Sequence, residues 1–117
     1  MQRDLTLVEI NPTPRPESLK PLDDAQIKQL GYLGALAQRK KFAASLIVNL
    51  YNSNVVGADM YNLMGYCKGE SSDTLLQSVF LINQLCMYCE SHEIYGSDFV
   101  EELIEQWDFR NRRSDEE

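Results

Sequence analysis

The sequence predicts an all-α fold: a compact bundle of four to five helices with an extended proline-rich N-terminal arm. Three observations carry this. Residues 42–51 and 75–89 each place apolar side chains at the three-and-four spacing of a buried helical stripe. Residues 98–108 interleave acids with Val100, Leu103, Ile104 and Trp107, the pattern of an amphipathic helix. All four prolines lie at positions 12 to 21, so a helix is excluded there and permitted afterwards. The chain divides accordingly into an arm at 1–22, a helical domain at 23–110 and a charged tail at 111–117.

In the arm, Pro12, Pro14, Pro16 and Pro21 fix φ and bias the residues before them toward extended conformations. Leu5, Leu7 and Ile10 supply apolar anchors, and residues 5–10 have the composition of a lone strand. One strand makes no sheet, so the arm is expected to dock on the helices or on a second copy.

The first helix opens at Asp23 and Asp24, which offer a cap and first-turn acids, and carries Ile27, Leu30, Leu33 and Leu36. Gly31 and Gly34 each weaken it by about 1 kcal/mol against alanine, which points to close packing by a neighbour. A second helix spans about residues 40–53, with Ala43, Leu46, Ile47, Leu50 and Tyr51 on its buried stripe. Asn52, Ser53, Asn54 and Gly57 stop it, and Asp59 caps a short helix carrying Met60, Leu63 and Met64. The longest helix is expected at 72–91, with Leu75, Val79, Ile82, Cys86 and Cys89 on the buried stripe and Leu76, Phe80 and Met87 broadening it. Ser97 is the expected cap of the last helix. There Asp98, Glu101 and Glu102 suit the positive dipole end and the arginines of 110–113 the negative one.

A chain of 117 residues forms one domain that buries roughly 65% of its unfolded surface, enough for a core without metal or disulfide staples. Of the net charge of −7, five units fall in residues 98–117, where eight acids face three arginines. Such a surface repels nucleic-acid phosphates and anionic lipid, so neither direct nucleic-acid binding nor membrane binding is expected. Three cysteines, an odd number, fit a reducing, cytoplasmic setting in which thiols stay reduced. The chain shows no signal-peptide layout and no apolar run near the roughly 18 residues of a membrane span.

The sharpest chemical motif is Cys86 and Cys89, with His92 after them and Cys67 upstream. On a continuous helix Cys86 and His92 are separated by about 9 Å of rise, too far to share a tetrahedral zinc. A redox pair begins at a helix start after a strand, which this pair does not. Buried core thiols are therefore expected, with no metal and no cofactor. His92 is expected to cap the long helix or lie exposed. The cluster Arg39, Lys40 and Lys41 covers a solvated face or pairs with the acidic helix, and Tyr51, Tyr61, Tyr95 and Trp107 belong to the core. No Ser/His/Asp set, paired carboxylate or glycine-rich phosphate loop is present, so no catalytic residue is expected.

Residues 41–107 resemble a family of small, uncharacterised helical proteins of bacterial mobile elements and prophages. The likeness rests on residues 46–52, ending in Leu50, Tyr51 and Asn52; on Gly57, Asp59 and Leu63; on Phe80, Leu81 and Ile82; and on Tyr95, Gly96, Phe99, Leu103 and Trp107. Leu50 and Met64 stand where the family often has aromatics. The resemblance implies an architecture and a role in conflict or regulation, and it brings no catalytic residue. Together these readings predict a non-enzymatic, acidic helical protein that acts by binding another protein, with a homodimer among the possible assemblies. The alternative is an inhibitor of a host nucleic-acid-handling defence system, of anti-CRISPR or anti-restriction type, presenting Glu101, Glu102, Glu105 and Asp108 as an acidic partner-binding surface.

Overall fold

Asp23 begins the helical part of the chain. Its backbone is extended, its carboxylate accepts the Gln26 N–H at 2.8 Å, and Gln26 Oε1 accepts the Asp23 N–H at 3.0 Å. This reciprocal pair satisfies two donors that a helix start leaves open. A computed structural model describes residues 7–14, 20–70 and 73–110. Among them six helices follow: α1 (Asp24–Ala37), α2 (Lys41–Asn49), α3 (Met60–Glu70), α4 (Asp73–Leu85), α5 (Ser91–Tyr95) and α6 (Ser97–Gln106). The described residues are thus all-helical, with six helices where the sequence predicts four or five.

The difference comes from a break in the expected 72–91 helix. After Leu85 the backbone tightens, Met87 N–H bonding to Gln84 O at 3.2 Å and Tyr88 N–H to Leu85 O at 2.9 Å, each three residues back. Glu90 then turns extended and forms a capping box with Glu93, starting α5 afresh. Ser91 fastens this new start to the end of α2: its hydroxyl donates to Ile47 O at 2.6 Å and its N–H to Leu50 O at 3.3 Å.

The core is a single cluster in which α1 packs mainly against α4 and α2. Leu30, Leu33 and Leu36 of α1 share this cluster with Ile47, Val48, Leu63, Leu75, Ile82, Ile94, Leu103 and Ile104, all buried. Each such side chain contributes about 1.5–3 kcal/mol through burial. Leu75, Val79, Ile82 and Cys89 of the expected stripe are buried, whereas Cys86 is half-buried.

Residues 7–14 carry neither helix nor strand and lie over α1 and the end of α5. Val8 N–H reaches Gly31 O at 3.3 Å, Asn11 N–H reaches Ile94 O at 2.8 Å, and Leu22 N–H reaches Pro12 O at 2.8 Å. The two α1 glycines make room for this approach: a Cβ at 31 would meet Val8 O at 2.9 Å. Leu5 of the expected strand, Pro16 of the proline run and the tail at 111–117 lie outside the described residues.

Past α6, Asp108 adopts φ 58° and Phe109 is fully buried, its ring 5.9 Å below the Lys41 ammonium. Lys40 lies similarly over the Tyr66 ring at 5.7 Å. Trp107, expected in the core, is half-buried and donates its indole N–H to Ala37 O at 3.0 Å.

Candidate protein-binding surface

The acidic helix is where the sequence places the partner surface. Gly96, with φ 92° and ψ 144°, occupies the cap position in place of Ser97, which is the first helical residue and makes no capping bond. On α6, Glu101 turns toward the fold: it accepts the Tyr51 hydroxyl at 2.8 Å and the Arg110 guanidinium at 3.1 Å. The Arg110 and Tyr51 bonds hold its carboxyl below the usual range. Reciprocally, the bond to Glu101 and then its charge push the Tyr51 phenol up. Glu102 and Glu105 are exposed one turn apart, and exposed Asp108 sits in the left-handed turn beyond the helix. The four predicted residues therefore divide into two exposed carboxylates on α6, one part-exposed carboxylate engaged by Tyr51 and Arg110, and one exposed carboxylate in the turn beyond.

The break after α4 puts His92 on a separate helix from the turn that holds Cys86 and Cys89, whose thiols remain neighbours. Cys89 is buried, its thiol reaching Leu85 O at 3.4 Å, while half-buried Cys86 has its thiol pushed up to about 12, first by desolvation and then by Cys89. Burial also raises the half-buried Cys67. His92 belongs to α5, not to the end of a long helix, and lies edge-on to the Tyr51 ring at 5.2 Å with Nδ1 3.4 Å from Glu90 Oε1. Among the described residues no three His, Cys, Asp or Glu side chains converge to hold a metal ion.

A cleft of about 500 Å³ lies between α2 and residues 56–59, lined by Lys41, Ser45, Asp59 and Phe109. Its polar groups hold the fold together. Ser45 Oγ donates to Phe42 O at 2.8 Å and accepts the Asp59 N–H at 3.0 Å, and the Asp59 carboxylate caps α3 through Asn62. A hydroxyl fixed in this way is not poised as a nucleophile.

The outer face of α4 is different in kind. Leu76 is 50% exposed, Phe80 66% and Met87, in the turn that follows, 72%, where the sequence reading expects them to broaden the buried stripe. The reason is that α1 covers only one flank of α4. Ser78 Oγ donates to Gln29 O at 2.8 Å and Gln29 Nε2 donates to Gln77 Oε1 at 2.8 Å, fixing that flank and leaving the other uncovered. Residues 74–89 contain no charged side chain, and exposed Gln77, Asn83 and Gln84 complete the surface. Those three amides were the available signal, because a flank packed inside a core rarely carries three of them. Tyr61 of α3, also expected in the core, is 89% exposed.

No protein-family model, curated protein or solved structure matches the chain. Among the described residues no helix is long and apolar enough to cross a membrane.

Proposed function

We propose that the protein acts by binding another protein, without catalysis of its own, through the uncharged outer face of α4. The observation that carries this is the alignment of Leu76, Phe80 and Met87 at successive spacings of four and seven, all half or more exposed, in a stretch without charge. Scattered exposed apolar residues are ordinary on a protein surface, whereas a contiguous patch of large ones marks an interaction site. At these exposures four side chains, counting Tyr88 at the edge, present about 400–500 Å² of largely apolar surface, in the range of the largest patches on monomers.

The acidic-surface inhibitor, and with it the mobile-element role that the family resemblance implies, has weaker support. Glu101 is already engaged by Tyr51 and Arg110, and Glu102 and Glu105 are exposed on α6 beside Asp98. Affinity capture from cells with wild-type bait, Phe80→Glu bait and a Glu102→Gln, Glu105→Gln bait separates the two. Loss of a specific partner with Phe80→Glu alone supports the α4 face. Loss with the neutralised acids alone overturns it in favour of the acidic helix.

A further inference from the structure

We propose that the partner of the α4 face is a second copy of the same chain, paired side by side and antiparallel. The inference rests on the reading of that face as a docking surface and adds its occupant. Charge is the first argument. The chain carries −7, and α6 exposes Asp98, Glu102 and Glu105, so two copies meeting there would repel. Residues 74–89 are neutral and let two like-charged copies approach without setting acids against acids.

The spacing is the second argument. Leu76, Phe80 and Asn83 of α4 and Met87 in the turn after it succeed one another by four, three and four residues, and within α4 this is the step of a helix-pairing seam. That succession reads the same in both directions, so a two-fold axis between positions 81 and 82 sets Leu76 against the partner's Met87 and Phe80 against the partner's Asn83. Each large ring then faces a smaller side chain, whereas a parallel pair would set Phe80 on Phe80 and Asn83 on Asn83. An antiparallel pair also places opposite helix-dipole ends together.

Area sets the strength. The patch supplies about half of the roughly 800 Å² that a standard interface takes from each partner, which places the dimer in the weak, concentration-dependent class. The test is the mass of the full chain by sedimentation equilibrium from about 1 µM to about 500 µM, the range in which such an interface dissociates. The expected result is a rise from 13.4 kDa toward twice that value.

Leu76→Lys and Met87→Glu should each weaken self-association at least tenfold, and the double variant should restore it, because antiparallel pairing sets Lys against Glu. All four positions of the seam are outside the core, so the far-UV dichroism and melting of each variant should match the wild type. A wild-type mass that stays at 13.4 kDa throughout overturns the dimer. If Phe80→Glu then still removes a captured partner, the α4 face keeps its function with a different occupant; if it removes none, both readings fall. A dimer that the double variant does not restore overturns the antiparallel arrangement.

Discussion

The Tyr95 ring occupies the space that Gly34 leaves by having no side chain. Tyr95 donates its hydroxyl to Leu30 O at 2.7 Å and stacks on Phe99 at 5.3 Å, and a Cβ at position 34 would lie 2.8 Å from its Cε1 and would overlap Val8 Cγ2. Burial also holds the phenol well above its usual range, so it remains a neutral donor to the carbonyl.

Gly34→Ala is therefore predicted to destabilise the protein. Alanine gains about 1 kcal/mol in helix propensity, but overpacking against a ring fixed by a buried hydrogen bond costs about 1–3 kcal/mol. The expected net loss in urea unfolding is about 1 kcal/mol. At Gly31 the clash is with the Val8 carbonyl on residues 7–14, which can lift away. Gly31→Ala should keep wild-type stability and expose that segment to protease. Equal or higher stability in Gly34→Ala would sink the argument.

Tyr51, Glu101 and Arg110 make stability depend on pH at both ends. The folded-state value of Glu101 is lowered, so its contribution is complete above about pH 4.3 and lost as pH falls through the lowered value. That of Tyr51 is raised, so its contribution is complete below about pH 10 and lost as pH rises through the raised value. Denaturant midpoints of Tyr51→Phe and wild type should differ most near neutrality and converge at both extremes. A constant difference across pH would contradict the link.

Much of the fold was legible, for reasons that lie in local chemistry. Asp23 caps α1 because a short acceptor precedes a periodic apolar run, and Gly31 and Gly34 reported close packing because glycine in a helix otherwise costs stability. The uncovered face of α4 was legible only through its amides Gln77, Asn83 and Gln84, and not through its apolar residues. Leu76 and Phe80 are as apolar as Leu75 and Val79, and hydropathy cannot say which flank a neighbour will cover. The break before α5 escaped because glutamate is a weak cap signal, and it acts here through its reciprocal bonds with Glu93. Glu101 shows the same limit at the candidate surface: its partners Tyr51 and Arg110 are 50 and 9 residues away in sequence.

The thiols should differ in reactivity. At pH 8 a thiol pushed up to about 12 has on the order of 10⁻⁴ of its population as thiolate, so Cys86 is a poor nucleophile although half-buried. Iodoacetamide on the native protein should modify Cys67 before Cys86, with the order lost in denaturant, as read by peptide mass spectrometry. Native modification of Cys86 first would show that solvent reaches its thiol.

The last prediction concerns Asp108 and Phe109, which share a backbone turn beyond α6. Asp108 holds φ 58°, a conformation that costs an ordinary side chain about 1–2 kcal/mol, and it thereby directs Phe109 into the core. Asp108→Gly should retain wild-type stability or gain up to about 1 kcal/mol, since glycine adopts this turn without strain but loses more freedom on folding. Asp108→Val, β-branched and intolerant of positive φ, should cost about 1–3 kcal/mol. Phe109→Ala, which empties a fully buried position, should cost about 3–5 kcal/mol. Urea unfolding of the three variants checks the order. If Asp108→Gly keeps full stability yet loses a binding partner, the carboxylate itself is part of a docking surface, and the turn is not the whole of its role.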